Sequence, residues 1–270
     1  IRWLAGPPQE ICNMVTAGGR AYYGGVLARD AFNGLRLWER TLNPTPARGG
    51  WYFQTVEGSV VPLATDEGVL VMTDGRLRLL GAATGRELRV YGQGSPPFTP
   101  SDVLLAGRTI VAADEQAVVA MDLRTGQVVW RHDAKSVRCM AADGGRLFLI
   151  HNDKAGEGPW LTCRRMDSGE TLWRRGQDDL PWLGKVRRFA QYEAWLACEI
   201  STITETKTGN SVQVLSADDG RHLWGREFIP HSSHFRQARA MFAGGLLWVL
   251  DEAVKGCVGL DPPTGQVKQT

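Results

Sequence analysis

Two groups of residues in this chain could do chemistry and stand outside any regular pattern. His231 and His234, in Pro230-His231-Ser232-Ser233-His234-Phe235-Arg236, are spaced so that both could ligate a metal or pass a proton. Two ligands do not complete a metal site, so the simpler reading makes them loop histidines. Trp182 lies in Asp178-Asp179-Leu180-Pro181-Trp182-Leu183-Gly184-Lys185-Val186-Arg187-Arg188. An exposed Trp beside Lys185, Arg187 and Arg188 would suit an acidic or peptide partner. The simpler reading is a Trp capping a core beside solvated basic neighbours. Arg164, Arg165, Arg174 and Arg175 flank a hairpin, and strand alternation spreads them into a solvated edge rather than a phosphate track.

Other chemistries lack their motifs. Cys12, Cys139, Cys163, Cys198 and Cys257 are widely spread with no C-x-x-C, which supports neither a zinc site nor a dense disulfide framework. Gly92-Gln93-Gly94 opens Gly-Ser-Pro-Pro and not a helix, so it is no dinucleotide fingerprint. Neither G-x-S-x-G nor H-E-x-x-H occurs. The turn carboxylates offer no calcium-ligand cluster beyond hairpin positions.

The elements that must position these residues follow from composition and repetition. With 43% hydrophobic and 22% charged residues, the 270-residue chain has ample material for a folded core. No stretch approaches 18 consecutive apolar residues, and a net charge of +2 is too small for a nucleic-acid binder. The chain begins at Ile1 with no visible signal peptide, which suggests a fragment or mature form. Its 10 Trp exceed its 8 Phe and 5 Tyr, and most of that excess is periodic.

Six segments, near 26–38, 77–89, 118–130, 161–173, 212–224 and 257–269, each hold an alternating run, a polar turn ending in Gly, and a second run. The turn glycines Gly34, Gly85, Gly126, Gly169, Gly220 and Gly265 recur every 41 to 51 residues. Trp38, Trp130, Trp173 and Trp224 follow them by four residues, with Arg89 and Gln269 at that place in the other copies. Asp30, Asp122 and Asp261 precede the Gly by four. The turn calls for a positive φ, hence Gly. Two earlier strands in each copy complete a four-stranded antiparallel unit, the signature of a propeller blade. Blades are expected near 12–42, 58–91, 101–133, 137–175, 185–228 and 236–270. Trp suits the stacking of neighbouring blades, since one ring buries about 150–250 Å². That area corresponds to at most about 4–6 kcal/mol. The same logic assigns Trp195 and Trp248, in second strands, to the core.

The pattern A-x-D-x-x-T-G-x-x-x-W, complete in Ala120-Met121-Asp122-Leu123-Arg124-Thr125-Gly126 through Trp130, resembles the pyrroloquinoline-quinone-type β-propeller repeat. The WD-repeat pair is absent, and the sialidase Asp box fails by one residue at Asp167–Trp173. The resemblance implies an all-β propeller of four-stranded antiparallel blades, with the Trp docked between blades. Rings of seven or eight blades are common in that family, so six visible copies suggest part of a larger ring. Residues 1–5 would then be the outer strand of a preceding blade; a closed six-bladed ring is the alternative.

The family includes quinone-dependent dehydrogenases and non-enzymatic envelope proteins, among them a barrel-assembly lipoprotein that bridges partners. The resemblance favours a non-catalytic binding or assembly scaffold with a protein or peptide partner, in the periplasm or cell envelope. No nucleic acid and no resident cofactor are expected. The alternatives are a fragment of an alcohol or sugar dehydrogenase using pyrroloquinoline quinone with Ca²⁺, and a sensor or substrate-binding domain attached to an enzyme. The adjacent cysteines of one dehydrogenase subgroup are absent.

Overall fold

The computed structural model describes residues 14–23, 27–40, 62–73, 75–93, 98, 100–143, 145–153, 155–203, 208–228, 240–251 and 254–270. They form 24 strands, and the 3-10 turn Leu183–Lys185 stands before the seventeenth. No described helix is long and apolar enough to cross a membrane.

The strands assort, in chain order, into six four-stranded antiparallel sheets. The first holds β1 (Met14–Ala17), β2 (Arg20–Tyr23), β3 (Leu27–Asp30) and β4 (Arg36–Glu39). The second holds β5 (Leu63–Ala64), β6 (Gly68–Thr73), β7 (Arg76–Gly81) and β8 (Glu87–Tyr91). The third holds β9 (Asp102–Ala106), β10 (Thr109–Ala113), β11 (Ala117–Asp122) and β12 (Val128–Asp133). The fourth runs through β13 (Lys135–Asp143), β14 (Arg146–Asn152), β15 (Trp160–Arg165) and β16 (Thr171–Arg175). The fifth runs through β17 (Val186–Tyr192), β18 (Trp195–Ile203), β19 (Thr208–Ser216) and β20 (His222–Phe228). The sixth comprises β21 (Ala240–Ala243), β22 (Leu246–Asp251), β23 (Gly256–Leu260) and β24 (Val267–Gln269).

Burial follows position in the sheet. In β11 Ala117–Met121 are all buried, and in β14 Leu147–His151 are, because middle strands are covered on both faces. The fourth strands β4 and β12 bury only Trp38 and Trp130.

The chain divides into two compact units, Ile1–Arg131 and His132–Thr270. Within the first, Leu70, Leu77, Leu79, Tyr91, Ile110 and Met121 form a core between the second and third sheets. Tyr22, Ala28, Trp38, Val69 and Leu80 do so between the first and second. Within the second unit, Phe148, Ile150, Leu161, Leu196 and Cys198 join the fourth and fifth sheets. Val212, Val214, Leu247 and Val249 join the fifth and sixth. Each sheet is thus one repeat of the sequence, and within each unit successive sheets cover one another's apolar faces.

Candidate functional site

The repeated residues build an interlock between successive sheets. In all six copies the turn Gly has positive φ, from 64° at Gly85 to 76° at Gly34. Its N–H donates to the carbonyl four residues earlier, as from Gly126 to Asp122 at 2.8 Å. The Asp122 carboxylate accepts the backbone N–H groups of Arg124 (2.9 Å) and Thr125 (2.7 Å). The Thr125 bond heads the causes that hold its pKa below the ordinary value. Asp30 does the same for Phe32 and Asn33. These carboxylates are occupied by their own turns.

Onto the turns of Gly85, Gly220 and Gly265 the preceding repeat lays its Trp. The Trp38 indole N–H donates to Ala82 O at 2.9 Å, Trp173 to Ala217 O at 3.0 Å, and Trp224 to Pro262 O at 2.7 Å. All three acceptors stand three residues before the turn Gly of the next copy. The glycine has a second reason there. A Cβ on Gly85, Gly220 or Gly265 would come within 2.6–2.7 Å of the docked indole. Where Arg89 replaces Trp, its guanidinium donates to Leu123 O at 2.9 Å, and the Tyr91 hydroxyl donates to the same oxygen at 2.5 Å. A Cβ on Gly126 would lie 3.2 Å from Arg89 Cδ, so the arginine stem fills the space of the missing ring. The sequence placed Arg89 at the Trp position of the second copy; what it did not show is that the arginine docks on the same carbonyl position of the next turn.

Trp182 is half-buried and packs on the core of the fourth and fifth sheets, its ring centroid 5.9 Å from that of His222. It therefore caps the core instead of standing exposed, because Leu180 and Leu183 on either side of it are both buried. Lys185 and Arg187 are exposed, and Arg188 is half-buried opposite Glu199. His231 and His234 lie outside the described residues, as do Cys12 and residues 1–5. Trp195 and Trp248 are half-buried; Trp195 packs against the core of the fifth and sixth sheets and stacks with Tyr192, and the Trp248 indole donates to Ala243 O at 3.0 Å.

The expectation of a solvated arginine edge fails at Arg164, which is 6% exposed. Its guanidinium donates to Gly169 O at 2.7 Å and to His132 Nε2 at 2.5 Å. Strand alternation turns Arg164 inward on β15 while Arg165 faces out. Arg174 stacks over the Trp160 ring at 3.5 Å and meets Asp153 at 3.6 Å. His151 Nδ1 is 2.9 Å from Asn152 O, which can only accept, so Nε2 accepts the Thr162 hydroxyl at 2.8 Å. Burial, followed by the Arg164 and His151 charges, pushes the His132 pKa down to about 4. Burial likewise lowers His151, and lowers Arg164 to about 10. Neutral imidazoles suit these hydrogen bonds, so the group is a buried polar clamp. Burial raises the neighbouring Cys163 thiol to about 11, which keeps it protonated and unreactive at neutral pH.

Among the described residues no three His, Cys, Asp or Glu side chains are grouped to hold a metal ion. Of the described cysteines, Cys139, Cys163 and Cys198 are buried and Cys257 is exposed.

A family profile described as "Outer membrane protein assembly factor BamB" matches residues 2–175. The chain is 28% identical over 138 residues to the protein of that name from Escherichia coli K12, covering 51% of this chain and 31% of that protein. It spans less than a third of the length of the curated relatives it matches. Among solved structures, BamB from Moraxella catarrhalis has a TM-score of 0.55 at 17% identity, covering 94% of this chain and 68% of that one. A quinohemoprotein alcohol dehydrogenase from Comamonas testosteroni has a TM-score of 0.53 at 15% identity, covering 88% and 50%. Both likenesses are of fold, the β-propeller built from such sheets.

Proposed function

The chain belongs to the pyrroloquinoline-quinone-like repeat family described as outer membrane protein assembly factor BamB, and from that premise we propose that it is a non-catalytic scaffold which binds a protein partner during assembly in the bacterial envelope. The observation that carries this reading is the interlock. Trp38, Trp173 and Trp224 and the turn glycines are committed to holding sheet against sheet. Recognition is left to side chains that depart from the repeat. The family's habit supports the periplasmic face of the envelope as the compartment. The likeness to a dehydrogenase is one of fold and implies no reaction.

The test is made on the full-length protein. Expressed in cells lacking their own assembly factor, it should restore the level of folded outer-membrane proteins. Incubated with pyrroloquinoline quinone and Ca²⁺, it should neither bind quinone stoichiometrically nor reduce a dye with alcohols or sugars. Quinone-dependent turnover would overturn the scaffold reading.

A further inference from the structure

Two of the six sheets begin differently from the rest. In β13, Lys135 pairs with Asn152 and Cys139 with Ile150, so Ser136, Val137 and Arg138 together oppose His151. Ser136 takes a left-handed φ of 51° to achieve it. In β17, Val186 pairs with Ile200 and Arg188 with Glu199, which leaves Arg187 as an extra residue. The first strands of the other four sheets pair in unbroken register. A bulge re-aims a side chain at a local cost in pairing. Here each of two bulges, on first strands that pack together, turns out an exposed arginine.

These arginines converge on one turn. Arg138 donates to Gly184 O at 2.5 Å, inside the Leu183–Lys185 turn that carries exposed Lys185 and leads into Arg187. None of Arg138, Lys185 and Arg187 has an ion-pair partner among the described residues, and the exposed Asp178 and Asp179 on the same connection make none with them. Elsewhere some exposed arginines pair, as Arg36 with Glu39 and Arg165 with Glu170, and others, such as Arg86 and Arg124, make no ion pair among the described residues. We propose that the bulged starts of β13 and β17, with Arg138, Lys185 and Arg187, form a docking surface for an acidic segment of a protein partner. It rests on the scaffold reading only in taking the partner to be a protein.

Carboxylates fit this surface because a guanidinium takes them in paired hydrogen bonds and Arg138 is already held in place. A lipid surface would call for apolar side chains projecting beside the cations. The neighbouring Trp182 and Leu183 instead turn into the core. A net charge of +2 argues against a nucleic-acid backbone.

The experiment uses the full-length protein and a labelled twelve-residue Glu/Asp-rich peptide, with binding read by fluorescence anisotropy at low and physiological salt. R138E/R187E should weaken binding about tenfold or more, R138Q/R187Q should weaken it less, and salt should weaken the wild type, as screened charge pairs require. If the Glu pair does not fold, judged by thermal melting, the Gln pair decides. Equal affinity of wild type and the variants overturns the proposal. So does tighter binding of phosphatidylglycerol vesicles or duplex DNA that the same variants abolish. Lost peptide binding with envelope complementation intact overturns the docking surface alone, whereas quinone turnover overturns the scaffold reading alone.

Discussion

At Gly220 two independent constraints meet. The backbone stands at φ 70°, where an L side chain is strained, and a Cβ would press to 2.6 Å from the Trp173 ring. Gly107 has a similar φ of 59°, yet nothing lies within 4 Å of the Cβ it lacks. Gly107→Ala should therefore cost only the conformational part, about 1–2 kcal/mol. Gly220→Ala adds overpacking against a ring that cannot yield, for a total of about 3 kcal/mol or more. Urea unfolding of the two variants separates the contributions; equal losses would show that the indole moves aside freely. The need for Gly at the turn was legible in the sequence, from the polar residues around it. The docked ring above it was not, because that ring comes from a residue 47 positions earlier.

Between elements, the interlock tolerates a change of chemistry provided one acceptor is served. In the second repeat the Leu123 carbonyl takes bonds from both Arg89 and Tyr91, while the arginine stem replaces the ring's bulk. Either donor alone keeps that buried oxygen satisfied. Arg89→Ala and Tyr91→Phe should each cost a modest amount, and the double variant should exceed their sum by about 1 kcal/mol. A double-mutant cycle measures this; strict additivity would mean that the two donors do not share the acceptor's energetics. The same scale explains the error at Arg164. Alternation along β15 was read as spreading the arginines into solvent. The side of the strand that Arg164 occupies is covered, and His132 and Gly169 receive its protons.

For the whole molecule, one buried and one half-buried histidine, both neutral, make folding sensitive to acid. His132 titrates near 4 and His151 below its ordinary value of 6.5, so the unfolded chain binds more protons than the folded one between about 6.5 and 4. Their contribution is complete above 6.5 and is lost as pH falls through that window. Asp102, raised by burial, acts in the opposite sense at the lower end. The urea midpoint should fall from pH 7 to pH 4.5, and less steeply in His132→Gln, which keeps an acceptor for Arg164 but no titrating ring. Equal slopes would place the acid sensitivity elsewhere.

The sequence by itself determined the all-β class, the four-stranded unit, its six-fold recurrence and the family, because these follow from alternation, turn chemistry and periodicity, all local along the chain. It also marked Trp182, Lys185, Arg187 and Arg188 as exceptions to the repeat. Only the tertiary structure decided that Trp182 faces inward, that Arg138 reaches the Gly184 carbonyl in the turn before Arg187, and that Arg164 is enclosed with two histidines. Each of those outcomes depends on pairing register and on which neighbouring sheet covers a face. The bulges shift the register by two residues in β13 and by one in β17, and the covering side chains lie dozens of positions away in the chain.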